Sequence, residues 1–394
     1  MRLSPIYLDN HATTRVDPRV VAAMLPYFDV CYGNAGSITH AWGNEARNAV
    51  EVARTSIAAA IGAEDRDIIF TSGATESNNL AILGTVDNPR ARGKHVISVT
   101  TEHRAVLDPL QKLARAGVEV TRLTVAPHSA TNPGCLDLQE LEQALRPDTA
   151  LVTVMLANNE IGNLQPLALI GSLCRDRQIP LHTDATQAVG KIPVDVRTLK
   201  VDLMSFSAHK LHGPKGVGGL YIRRQNRSLR LTPMLVGGGQ EWGLRSGTLN
   251  VPGIVGLAEA LRLCMNELPS EMPRLAELRA RLFQGLEAAI PDVRLNGPDW
   301  RVGHSRLPGN LNVAFGGLDG ETLMLHTPEL ALASGSACSA AHPEPSHVLR
   351  ALGSDDDRIR SSLRFGLGRF NTADEIDRAV QLLGDAAARL REGL

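Results

Sequence analysis

The sequence predicts an α/β fold: a largely parallel sheet wrapped by helices, followed by a second, smaller unit. Two observations carry this. Short apolar runs that read as buried strands alternate with longer amphipathic stretches up to about residue 223, as β–α crossover units require. The pattern then changes near residue 251, where a long helical stretch leads into fresh strand-like segments.

The strands of the first unit are expected at 68–70 (IIF), 95–99 (HVISV), 150–156 (ALVTVML), 179–184 (IPLHTD), 201–207 (VDLMSFS) and 218–223 (GGLYIR). Helical patterns fall between them at 75–84, 105–116, 137–145 and 166–177. Residues 251–291 look helical, with Pro269 and Pro273 as interruptions. NLNVAF (310–315) and SSLRFGLG (361–368) read as strands of the second unit. The closing stretch reads as a helix capped by Thr372 and followed by acidic residues. In parallel sheets of this kind, ligands bind outside the carboxyl ends of the strands.

Composition excludes several classes. The 394 residues carry 41 Lys+Arg against 42 Asp+Glu, so no net field steers the chain toward nucleic acid or an anionic membrane. Five cysteines with no CxxC spacing argue against a disulfide framework or zinc site and for a reducing compartment. MRLSPIYLDNHATT lacks the regions of a signal peptide, and no apolar run spans a membrane. A soluble cytoplasmic protein is expected.

Chemistry-bearing residues follow the strands. In SFSAHKLHGPKGVGG, Lys210 stands at the edge of the core, where desolvation makes an amine nucleophilic; Ser207 and His209 beside it can bond a phosphate. Lys210 alone fits an ordinary loop lysine equally well. Asp184 ends an apolar strand, where a carboxylate needs a partner: the N–H of a pyridinium ring, or simply the cap of the next helix. Gln187 can reach a neighbouring ring substituent. In FTSGATESNN, Ala74 and Thr75 open a helix whose free N–H groups suit a phosphate, or Thr75 is a plain N-cap with Glu76 in the first turn. His103 in TEH can stack on a ring and shuttle protons, although read by itself it fits a structural histidine better. Asn158 can bond cofactor or substrate, or cap its own turn. Arg364 fits either a carboxylate clamp or a buried ion pair. Cys338 lies in a run of Ala, Ser and Gly followed by prolines, the setting of an exposed loop thiol that can move between sites, or of an incidental surface thiol. The other four cysteines read as structural.

Taken in order, TSGATESNN, TEH, NNEIG, DATQAVGK, DLMSFSAHK, GPKGVG, RSGT and SGSAC…EPSHVLRALG resemble the cysteine desulfurases of the IscS/NifS type over almost the whole chain. The resemblance implies a fold-type I transferase dependent on pyridoxal 5′-phosphate (PLP), with a seven-stranded sheet in its large domain, acting as a homodimer. It implies a large domain over 15–260, and a small one from 1–14 and 261–394 carrying a catalytic loop at about 331–345.

By the same likeness, Lys210 holds PLP as a Schiff base and Asp184 faces the ring nitrogen. Gln187 and Asn158 flank the phenolic oxygen, and His103 stacks on the ring and moves protons. Ala74, Thr75, Ser207 and His209 hold the phosphate, joined by Thr248 from the other subunit. Asn158 and Arg364 bind the substrate, L-cysteine. Cys338 takes the sulfur as a persulfide and leaves alanine, then passes it to an acceptor protein. The extended segment around Cys338 matches the long-loop group. NAGSITH at 34–40 departs from the family's usual NPSS or NPAS, without bearing on the chemistry. Housekeeping members often carry a tail beyond RLREGL that docks an iron–sulfur scaffold; the end at Leu394 opens tRNA thiolation or DNA sulfur modification as other destinations. The alternatives are an aminotransferase, selenocysteine lyase or C–S lyase on the same fold, against which the Cys338 thiol discriminates, and an inactive scaffold, which a missing visible absorbance band would reveal.

Overall fold

The computed structural model describes residues 5–89, 91–226, 229–303, 305–334 and 345–393. Seven strands form the main sheet: β1 (Ile68–Thr71), β2 (His95–Val99), β3 (Glu119–Leu123), β4 (Thr149–Thr153), β5 (Leu181–Asp184), β6 (Leu203–Ser207) and β7 (Gly218–Ile222). Their order is β1-β7-β6-β5-β4-β2-β3. β3, β2, β4, β5 and β6 pair in parallel, while β7 runs antiparallel to both β6 and β1. Only β7 is therefore reversed. Alternate residues enter two different cores: Phe70, Ile97, Val152 and Phe206 on one face, and Ile69, Val96, Leu151, Leu203 and Leu220 on the other. Burial on both faces is why these strands read as continuous apolar runs.

β3 has no counterpart in the sequence reading. It is an edge strand with one hydrogen-bonded neighbour, and Glu119 and Arg122 stay exposed, so its pattern is polar. The helix Ala41–Ala60 was also not foreseen; alanine fills much of its buried face, including Ala46, Ala53 and Ala58.

A 39-residue helix, Val251–Ala289, runs without a break through Pro269 and Pro273. This corrects the expected interruptions. Both prolines are exposed, so the backbone carbonyls deprived of an N–H partner are reachable by water. The helix contributes Ile254, Leu257 and Leu261 to the main core, and Leu282, Phe283 and Leu286 to a second one. That second core lies against the strands Val293–Leu295, Asn310–Phe315, Ala333–Ser334 and Ser362–Gly366, whose main pairings are antiparallel. The closing helix Ala373–Glu392 starts at Thr372 in a capping box with Glu375, as expected.

The amino terminus packs with the second unit, where Leu8 joins its core. Ile6–Tyr7 pairs in parallel with Leu330–Ala331, and Asp9 bridges to Gly366. This carries residues 11–13 to the carboxyl edge of the main sheet. Among the described residues, no helix is long and apolar enough to cross a membrane.

Leu282 is fully buried in the second core. Leu282→Ala is expected to lower unfolding free energy by about 2–5 kcal/mol, measured by denaturant titration.

Candidate active site

Strand direction sets the site. β1, β2, β4, β5 and β6 end on the same edge, and the segments after them line a cleft of about 590 Å³. Of the residues singled out in the sequence, Ala74, Thr75, His103, Asp184, Gln187, Ser207, His209, Lys210 and Arg364 all line it. Asn158 and Thr248 do not, and Cys338 lies outside the described residues.

One wall is the turn after β1. The helix Ala74–Val86 begins at Gly73 with no side-chain cap, so its first N–H groups are left to whatever enters the cleft. A Cβ on Gly218, at the start of β7, would fall 2.6 Å from Phe206 O and 2.7 Å from Gly73 Cα. Glycine there lets the turn pack beside Ser207. Glu76, in the first turn of the helix, also lines the cleft and is paired with Arg245 at 2.8 Å.

At the end of β5, Asp184 accepts Thr186 N–H at 2.9 Å on one oxygen and Asn78 Nδ2 at 2.8 Å on the other. No helix follows here, since residues 186–191 are turn, so the Thr186 contact closes a local turn instead of capping a helix, and Asn78 is the further partner. Asn78 was missed; it is fully buried, but in the sequence it stands among Thr75, Glu76, Ser77 and Asn79, so nothing there sets it apart. His103 caps the helix Arg104–Arg115, accepting Ala105 N–H on Nδ1 at 3.0 Å. Burial pushes its pKa below the usual histidine value, which makes it a neutral imidazole with its proton on Nε2.

Lys210 follows β6 in a single 3₁₀ turn, and its Nζ donates to His11 O at 2.6 Å and Ala12 O at 2.5 Å. His209 Nδ1 lies 3.2 Å from Thr13 Oγ1, and burial next to Lys210 holds its pKa at about 4. Gln187 Nε2 donates to His11 O at 2.9 Å, and its Oε1 receives Lys191 Nζ at 2.7 Å and His11 Nδ1 at 3.1 Å. The DNHATT stretch therefore completes the site, although local periodicity gives His11 and Thr13 no signal.

Arg364 resolves its two readings jointly. One Nη donates to Asp9 at 2.8 Å and the other to Asn159 O at 3.3 Å, while Nε is buried without a partner. The ion pair is real, and a donor remains. Asn158 uses its side chain on its own turn: Nδ2 reaches Thr101 O at 3.0 Å, and Oδ1 accepts the N–H groups of Glu160 and Ile161. Its neighbour Asn159 lines the cleft instead. Thr248 is exposed, away from the cleft.

The four described cysteines are free thiols. Cys174 and Cys264 are buried, with pKa values pushed up to about 12 and about 11, as inert core thiols. Cys31 is not a core residue; it is partly exposed and donates to Glu45 at 3.2 Å.

A lysine, an aspartate and an uncapped helix start meeting at the carboxyl edge of a mainly parallel sheet define the site of a phosphate-bearing cofactor. Residues 6–379 match the aminotransferase class-V family, and the chain belongs to that family. It is 51% identical over 388 residues to the cysteine desulfurase IscS of Anaeromyxobacter dehalogenans, covering 98% of this chain and 94% of the relative. Among solved structures it resembles a NifS-like protein, with a TM-score of 0.89 and 36% identity over 98% of this chain and 99% of the other. It also resembles SspA in complex with cysteine, with a TM-score of 0.79 and 35% identity over 93% and 99% of the two chains.

His128, His182, His209 and His212 are all held neutral by burial, each with a pKa of about 4. Once unfolded they take up protons near pH 6.5, so stability is expected to fall as pH drops from about 6.5 toward 4. Urea midpoints at successive pH values check this, and His209→Gln should make the decline shallower.

Proposed function

We propose that this protein is a PLP-dependent cysteine desulfurase, converting L-cysteine to L-alanine with the sulfur taken up by Cys338 as a persulfide. The observation that carries this reading is the convergence of Lys210, Asp184 and the uncapped start of the helix Ala74–Val86 on one cleft. The similarity to enzymes named cysteine desulfurase narrows the class to the reaction.

The residues fit the cofactor. The N–H groups at Ala74 and Thr75, with Ser207 and His209, suit its phosphate. Asp184, already oriented by Asn78 and Thr186, suits its ring N–H, and Lys210 its aldehyde carbon. Bound there, PLP supplies an electron sink for the charge that develops at the substrate α-carbon.

Arg364 Nε, buried and unpartnered, receives the substrate carboxylate while Asp9 holds the rest of the guanidinium in place. His103, with Nδ1 taken by Ala105 N–H, would offer Nε2–H toward the bound cofactor and substrate for proton transfer. Gln187 would hold the cofactor's phenolic oxygen. Asn158 holds the turn that offers Asn159 to the cleft and supports the strand end before His103. The Cys338 thiolate attacks the substrate sulfur: an S–S bond forms as the C–S bond breaks. The electron pair stays with the carbon skeleton, which is protonated and leaves as alanine.

Residues 15–260 form the cofactor-holding unit in this reading, and 1–14 with 261–394 form the unit carrying the 331–345 loop. The protein works as a homodimer. Phe28, Val30, Tyr32, Ile38 and Val236, each more than 60% exposed, form apolar surface for a second copy. Thr248 then reaches the phosphate site of that copy. The persulfide passes to an acceptor protein of iron–sulfur assembly or of tRNA or DNA sulfur modification.

Purified protein is expected to show a visible absorbance band that Lys210→Ala abolishes. Cys338→Ser should keep the band, and mass spectrometry after cysteine exposure should find one added sulfur on the Cys338 peptide of the unsubstituted protein alone. Sulfide release without a thiol acceptor that survives Cys338→Ser unaltered would overturn the thiol mechanism. Arg364→Lys is expected to raise KM for L-cysteine about tenfold or more, by loss of a charge-assisted contact.

A further inference from the structure

One strap of chain grips the turn after β1 from both sides. Among the described residues, β1 is an edge strand of the main sheet, and a buried ion pair bonds two of its backbone groups. Arg54 Nη1 donates to Ile68 O at 2.7 Å, Glu241 Oε2 accepts Phe70 N–H at 2.7 Å, and Arg54 and Glu241 pair with each other at 2.8 Å. Glu241 thereby seats the strap of residues 235–247 against the sheet. Within the strap, Ser246 N–H bonds to Leu235 O at 3.1 Å and Gly247 N–H to Gln240 Oε1 at 2.8 Å.

Arg245 belongs to this strap and meets the far side of the turn. Its Nε donates to Glu76 Oε1 at 2.8 Å, and its second donor reaches Glu76 Oε2 at 3.4 Å. Glu76 Oε2 also accepts Ser72 N–H at 2.8 Å. Both carboxylate oxygens are thus committed, and Glu76 ties the helix start back to Ser72. Ser72, Ala74, Thr75 and Glu76 line the cleft together, so a carboxylate stands in the same helical turn that suits a phosphate. A helix start attracts either anion, and the two anions repel each other. The Arg245 and Glu76 side chains are only 20% and 17% exposed, so water and salt screen their charges less than those of a surface pair.

We propose that Arg245 is a positioning residue of the phosphate site: it holds and neutralises Glu76, so that the helix start keeps its net attraction for the cofactor's phosphate. Arg245 acts through Glu76 and needs no contact with the cofactor. The proposal rests on the PLP reading of the cleft.

The test titrates apoprotein of the full chain with inorganic phosphate by calorimetry, and with PLP and with pyridoxal, which lacks the phosphate, by the visible band. Arg245→Met is expected to raise the Kd for phosphate and for PLP about tenfold and to leave that for pyridoxal within about twofold. Adding Glu76→Gln to Arg245→Met should return phosphate and PLP affinity to within about threefold of the unsubstituted protein. Glu76→Gln alone keeps an acceptor for Ser72 N–H and should bind phosphate at least as tightly as the unsubstituted protein. Phosphate affinity unchanged in Arg245→Met, or a loss that Glu76→Gln does not restore, overturns the proposal. Weaker phosphate binding in Glu76→Gln alone overturns it too, a result that needs no folded Arg245→Met, as does absence of phosphate binding in the unsubstituted apoprotein. An unsubstituted protein that binds phosphate but gains no visible band with PLP refutes the PLP reading instead, and the phosphate titrations still decide the role of Arg245.

Discussion

The constraint on which the rest depends is the common direction of the strands. Parallel pairing sends the carboxyl ends of β2, β4, β5 and β6 to one edge, and the reversed β7 lets β1 join them there. At that edge the backbone ladder stops, and polar side chains meet without breaking it. Asp184, Ser207 and the residues just past β1 and β2 become neighbours for this reason, although up to about 135 positions separate them in the chain. Gly218 tightens the arrangement by letting the helix start pack beside β6.

Charge is distributed unevenly around the cleft. His103 and His209 are neutral, Glu76 is turned to Arg245, and Asp9 is paired with Arg364. The charged residues lining the cleft are Lys210, Arg364 and Lys215 beside an uncapped helix start, with Asp184 and the Arg245-paired Glu76 as carboxylates. Such a wall suits a ligand with a phosphate at one end and a carboxylate at the other. Uncharged groups take part as well: Gln187 Oε1 receives Lys191 Nζ, and the His11 carbonyl receives both Gln187 Nε2 and Lys210 Nζ.

The buried strands were legible because burial on both faces leaves continuous apolar runs; 310–315 and the helix after Thr372 appeared as expected. β3 escaped because an edge strand carries solvent-facing residues, and Ala41–Ala60 because small side chains blur a hydrophobic stripe. Pro269 and Pro273 misled because a proline's cost depends on whether water reaches the freed carbonyls, which is a property of the packed surface. In the site, residues directly after strands were found. His11, Thr13, Asn78 and Lys191 were not, since each matters only through a partner distant in the chain.

By itself, the sequence determined which segments are buried strands and which chemical groups sit at their ends. Those follow from local residue order and the periodicity of the backbone. The tertiary structure alone decided what those groups do to one another. It brought the amino terminus across to receive Lys210, split Arg364 between Asp9 and an open Nε, closed Asn158 onto its own turn, and set Lys191 behind Gln187. Hydrogen bonds and charge interactions act over a few ångströms, and only the packed chain determines which groups come that close.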